Sequence, residues 1–167
     1  MSADRIPTTR SIGENLDIHG IGDMPGHLIR RLHQVAVAHF GEATGSSLTP
    51  VQFAILTATA RFSGVDQRTL ANLVAFDRST IGDVVQRLET RQLLRREASD
   101  TDRRSKLVFL TETGQSLLSE MYPLVERSQR EFLAPLSEGE QDIFMYLIRK
   151  LAALSNDFSP APLRDIA

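Results

Sequence analysis

At 167 residues, 41% hydrophobic and 24% charged, the chain has the balance of one globular domain or of two small lobes sharing a core. The absence of cysteine excludes a disulfide framework, a cysteine-ligated zinc site and a thiol-based peroxide sensor. The net charge of −2 conceals an asymmetry: from Arg91 to Lys106, six basic residues (Arg91, Arg95, Arg96, Arg103, Arg104, Lys106) meet three acidic ones (Glu97, Asp100, Asp102), leaving this segment at +3 and the remainder at −5.

Residues 1–24 mix Gly, Pro, Thr and Asp without sustained periodicity and read as an N-terminal arm. From Pro25 the pattern turns helical, with Leu28, Leu32, Val35, Ala36 and His39 on one stripe, so a first helix is predicted over 26–43. Thr49, Pro50 and Gln52 form a capping box that opens a second helix through Ile55, Ala58, Thr59 and Phe62. Asp66 caps a short third helix carrying Leu70, Leu73 and Val74, and Asp77 caps a fourth, running to Arg91, whose Ile81, Val84, Val85 and Leu88 share a face. Only the Ala75-Phe76 connection separates them.

Leu93 to Ala98 and Lys106 to Leu110 read as two short strands around a polar turn at Ser99 to Ser105. Thr111 begins a fifth helix to about Phe132, kinked at Pro123, and Ser137 with Glu140 caps a sixth presenting Ile143, Phe144, Leu147, Leu151 and Leu154. The expected fold is mainly α (α+β): a winged helix-turn-helix over 48–112, with dimerisation helices at 25–47 and 113–157 and a tail at 158–167. The outer helices are more apolar than surface helices need, which predicts a homodimer. No run has the length and apolarity of a membrane span, and the first residues lack the basic-then-apolar pattern of a secretory signal, so a cytoplasmic protein without membrane contact is expected.

If the apolar stripe of the fourth helix faces the core, about 100° per residue turns Ser79, Asp83, Gln86 and Thr90 outward, flanked by Gly82 and Arg87. These short or hydrogen-bonding groups can enter a major groove: Gln86 can bond adenine bidentately, and Arg78, with Thr80 beside it, can reach phosphate or guanine. Asp83 repels phosphate unless it accepts from cytosine N4 or holds a neighbouring arginine, and both uses stay open. At the hairpin tip, Arg103 and Arg104 can enter the electronegative minor groove, with the Asp102 carboxylate bracing a guanidinium. Double-stranded operator DNA is therefore the expected partner.

These residues resemble those of the multiple-antibiotic-resistance regulator (MarR) family. The likeness rests on Asp77-Arg78-Ser79-Thr80, Arg87-Leu88-Glu89, Asp102-Arg103-Arg104 and Leu110-Thr111 followed by Gly114, and it extends over about residues 26–155. It implies a homodimer whose first and last helices interlock, a reading helix at Asp77 to Arg91, and a minor-groove arginine set by Asp102 and Arg104. Two positions depart from the family pattern: Gln92 stands where Gly is usual, and Asp83 where many members carry a neutral or basic residue. The resemblance also implies a small anionic aromatic or N-heteroaromatic effector, and the stretch Gly26 to Gln34 is similar to members controlling catabolism of such acids.

Candidate effector contacts are His27, Arg30, Arg31, His39 and Arg61, since arginine can hold a carboxylate bidentately and histidine can bond a ring substituent. Structural use of Arg30 and Arg31 in dimer ion pairs, with His39 a core histidine, is the alternative. The function expected is a ligand-responsive repressor; the alternative is a winged-helix regulator or protein-interaction module without small-molecule input. Neither a Gly-rich phosphate loop nor an HExxH or GxSxG motif is present, so an enzyme is not expected, nor a cofactor or metal.

Overall fold

The structure is a computed structural model that describes residues 20–99, 105–156 and 159, with the Arg78 side chain excepted. The chain divides into two compact units, residues 1–33 and residues 34–167. In the first, a single 3-10 turn at Ile21–Asp23 precedes the start of α1 (Pro25–Thr44). Its apolar residues Ile21, Met24, Leu28, Ile29 and Leu32 are exposed in the single chain.

The second unit contains the end of α1, then α2 (Pro50–Arg61), β1 (Val65–Asp66), α3 (Gln67–Leu73), α4 (Arg78–Thr90), β2 (Leu94–Ala98), β3 (Lys106–Leu110), α5 (Glu112–Leu133) and α6 (Glu138–Leu154). The predicted caps form. Thr49 and Gln52 close a reciprocal capping box, Asp66 accepts from the amides of Arg68 and Thr69, and Ser137 and Glu140 close a second box at α6. Helix α5 continues through Pro123 as one element.

Strand β1 has no counterpart in the sequence reading. It pairs antiparallel with β3, Val65 opposite Val108, making a three-stranded sheet in the order β1-β3-β2. Two residues are too few to show alternation, so such a strand is invisible to periodicity. In the hairpin, Leu94 lies opposite Leu110 and Ala98 opposite Lys106, matching the predicted wing strands to within one residue.

The core forms where α2, α3, α4 and the sheet meet: Ile55, Leu56, Leu70, Ile81, Val85, Leu88, Leu94 and Val108 are fully buried. Leu118 and Met121 extend it onto α5. Burying each aliphatic side chain contributes about 1.5–3 kcal/mol, so the α4 stripe of Ile81, Val84, Val85 and Leu88 is enough to fix that helix's rotation about its own axis. Its polar face must then point outward.

Both helices of the helix-turn-helix end in the same way. After α3, the Ala75 amide donates to Asn72 O and the Phe76 amide to Ala71 O; after α4, Gln92 donates to Glu89 O and Leu93 to Leu88 O. This double bond pattern needs a left-handed residue just past the helix, and Ala75 (φ 54) and Gln92 (φ 59) occupy it. The helix end at Gln92 therefore has the geometry that glycine usually serves, although the residue is glutamine. Thr111 anchors the same corner by donating from Oγ1 to Gln92 O at 2.6 Å.

Candidate nucleic-acid interface

The interface is built on α4. Asp77 accepts at one carboxylate oxygen from the Thr80 amide (2.9 Å) and the Ser79 hydroxyl (2.5 Å), and at the other from the Thr80 hydroxyl (2.5 Å). These bonds, led by that of Ser79, hold its carboxyl well below the ordinary carboxylate range. The Ser79 and Thr80 protons are thereby committed to the cap. Their oxygens keep free lone pairs, so each hydroxyl is set to accept, as from adenine N6 or cytosine N4.

Ser79, Asp83, Gln86, Arg87 and Thr90 are all exposed, and Thr80 is half-buried. The Thr90 hydroxyl bonds back to the Gln86 backbone carbonyl at 2.9 Å, and among the described residues the Gln86 side-chain amide has no hydrogen-bond partner. Among the described side chains Asp83 has no arginine partner, so the bracing use considered for it is not formed there. Gly82 lies toward α3 rather than the open face: a β-carbon would stand 3.1 Å from Gln67 Nε2. Arg78 is the first residue of α4. Asp102, Arg103 and Arg104 lie outside the described residues.

Sequence reasoning passed over the link between α4 and the wing. Arg96 on β2 donates to Glu89 on α4 from Nε at 2.9 Å and again from Nη2. The pair is partly shielded, and the Arg96 bonds lower the Glu89 pKa from its usual 4.5. Glu89 belongs to the Arg87-Leu88-Glu89 motif, which was the available signal; no spacing rule joined it to Arg96. On the opposite face of the hairpin, the Arg95 guanidinium lies 4.4 Å from the Phe109 ring centroid and pairs with Glu97.

The base of the wing is closed by Gly114. An added β-carbon would come within 2.1 Å of the Leu93 carbonyl oxygen, so α5 can start against β2 only with glycine here. Thr111 caps the helix by accepting from the Gly114 amide at 3.0 Å.

The candidate effector contacts fall in both units. His27, half-buried, and exposed Arg30 and Arg31 lie on the first turns of α1 in the first unit, with His27 and Arg31 one turn apart. In the second, half-buried His39 meets Phe132 edge to face at 6.3 Å, and exposed Arg61 lies 5.3 Å from the Phe62 centroid. Among the described residues no cluster of His, Asp or Glu could hold a metal ion, and no helix is long and apolar enough to cross a membrane.

Comparison with known proteins gives this arrangement a family. Residues 46–105 match the sequence profile of the MarR family. The chain is 33% identical over 134 residues to the transcriptional repressor NicR of Pseudomonas putida, covering 80% of this chain and 85% of that one. The crystal structure of the Streptomyces coelicolor regulator PcaV with its natural ligand superposes with a TM-score of 0.75 at 38% identity, covering 78% of this chain and 93% of that one. The structure of Bordetella bronchiseptica BpsR, whose DNA binding is regulated by 6-hydroxynicotinic acid, also gives 0.75, at 32% identity over 80% and 96% of the two chains. With its winged helix-turn-helix and these relatives, the chain belongs to the MarR family of transcriptional regulators.

Proposed function

We propose that the protein is a cytoplasmic repressor that binds a pseudo-palindromic operator as a homodimer and is released by a small aromatic or N-heteroaromatic acid. The observation that carries this reading is the division of α4, whose Ile81, Val84, Val85 and Leu88 are buried while Ser79, Asp83, Gln86 and Arg87 stand clear. In this reading residues 48–112 form the DNA-binding domain. Gln86 bonds adenine, Ser79 and Asp83 accept from base amino groups, Arg78 and Arg87 take phosphate or guanine, and Arg103 and Arg104 reach the minor groove with Asp102 as brace.

The dimer is supported by exposed apolar surface. On α6, Ile143, Leu147, Leu151 and Leu154 are 54–75% exposed in the single chain, and Leu28, Leu32 and Val35 are uncovered on α1. A chain in water hides such stripes, and a second copy brings two reading helices to two operator half-sites. The first helix and residues 113–157 are the proposed dimerisation elements.

The effector class is supported by BpsR, which responds to 6-hydroxynicotinic acid. Arg30, Arg31 and Arg61 are the proposed carboxylate contacts, and His27 and His39 the proposed partners of ring substituents. The test is fluorescence anisotropy of a labelled operator duplex titrated with benzoate-type and nicotinate-type acids. A fall in anisotropy that saturates with acid supports the reading; DNA binding indifferent to every acid favours a regulator without small-molecule input.

A further inference from the structure

Beside the reading face of α4 the helix has a gap at Gly82, and a side chain from α3 stands in it. A β-carbon on Gly82 would lie 3.1 Å from Gln67 Nε2, so the amide of Gln67, the first residue of α3, borders the place that a side chain of α4 would take. Capping makes no demand on it: the Asp66 carboxylate already takes the Arg68 and Thr69 amides and the Thr69 hydroxyl. Among the described residues the Gln67 side-chain amide has no hydrogen-bond partner, and it is not shielded from solvent.

Its neighbour along α4 is Gln86. Gly82 precedes Gln86 by four residues, so the two lie on one side of the helix. Helical side chains lean toward the N-terminus, over the turn that precedes them, which directs the Gln86 amide across the bare Gly82 backbone toward Gln67. Gln86 is exposed, and its amide also has no partner among the described residues. A glutamine amide that rotates freely can meet two bases: its oxygen and nitrogen match adenine N6 and N7, while its nitrogen alone can donate to guanine O6 or N7. Preference for adenine needs a group that holds the oxygen in place.

We infer that Gln67 is a positioning residue for base recognition: in the DNA complex its Nε2 donates to Gln86 Oε1, whose second lone pair accepts from adenine N6 while Gln86 Nε2 donates to adenine N7. Gly82 is the opening through which α3 reaches the reading face. The inference rests on the assignment of Gln86 to adenine above and adds what makes that contact selective. With the amide fixed in this orientation, a guanine at the same position sets its O6 against the Gln86 oxygen, acceptor against acceptor.

The test uses the full chain and the duplex that wild type selects from a random pool, in which A·T pairs are replaced by G·C one position per half-site at a time. The pair read by Gln86 is the one whose replacement costs wild type affinity and leaves Gln86→Ala unaffected. Gln67→Ala should lower the adenine-over-guanine preference there by about threefold to tenfold, leave preferences at the other base pairs unchanged, and add nothing in a Gln86→Ala background. Gly82→Ala should reproduce that loss, because the methyl group displaces the end of the Gln67 side chain, yet melt at or above wild type, because alanine is the better helix former. A general loosening of the fold would instead lower melting and preference together. Full preference retained in Gln67→Ala, where Gln86→Ala loses it, overturns the role of Gln67 alone. A loss in Gln67→Ala that is equal for every duplex also contradicts the inference, since it marks a contact without base selection. If Gln86→Ala discriminates at every base pair as wild type does, the adenine assignment falls and this inference with it.

Discussion

Arg96 on the wing donates two hydrogen bonds to one carboxylate oxygen of Glu89 on α4, so α4 and the wing are held by a charged pair as well as by their shared core. Glu89 is ionised more readily in the folded protein than its usual 4.5, chiefly through the Arg96 bonds and against a smaller opposing effect of burial. A depressed folded pKa contributes stability that is fully present above the unfolded value and is lost as pH falls through the folded one. Urea unfolding of wild type and Glu89→Gln should therefore differ by about 0.5–1 kcal/mol at pH 7, a modest figure for a partly exposed pair. The curves should converge below pH 4.5. A gap that does not shrink as pH falls below 4.5 would mean that the pair is not its origin.

Gly114→Ala should unfold more readily by roughly 2–4 kcal/mol, because the new methyl group would overlap the Leu93 carbonyl oxygen at 2.1 Å and force α5 away from the wing. Chemical denaturation with a tryptophan-free probe such as far-ultraviolet circular dichroism reads this directly. A variant as stable as wild type would contradict the close approach.

Gln92→Gly should be stabilising. The left-handed conformation costs a side-chain-bearing residue about 1–2 kcal/mol, and part of the relief is offset by the freer unfolded chain. A net gain of about 0.5–1 kcal/mol is expected, with Ala75→Gly behaving alike at φ 54. Lower melting temperatures for both variants would show that neither residue is strained.

These two positions also show how far the sequence could be read. Capping residues at Thr49, Asp66, Asp77, Thr111 and Ser137 mark helix starts because side-chain oxygens there bond local amides, a rule that needs no tertiary knowledge. The α4 stripe was legible for the same reason, since its period is local. Gln92 stood out as a departure from the family's glycine, yet its left-handed backbone emerges only when Leu93 and Thr111 are in place around it. Strand β1 exists only through its pairing with β3, and the Glu89–Arg96 link depends on how the hairpin returns over α4.

Leu147→Glu should convert the proposed dimer to monomer. Leu147 is 54% exposed in the single chain, so a carboxylate there is tolerated by the monomer, whereas burying it against a second copy leaves an unpaired charge. Light scattering after size-exclusion chromatography should give twice the chain mass for wild type and the chain mass for the variant, with cooperative unfolding retained. Identical masses would remove this face from the interface.

The central claim is that the exposed face of α4 reads DNA sequence, and selection from a random duplex pool by the purified protein tests it most directly. The expected product is a pseudo-palindrome bound at least about 10³-fold tighter than random duplex at physiological salt, with affinity falling linearly on a log-log plot against salt. Gln86→Ala should weaken that site by about 1–3 kcal/mol and relax preference at one base pair in each half-site. Equal affinity for every duplex, or an unchanged sequence preference in Gln86→Ala, would contradict the account.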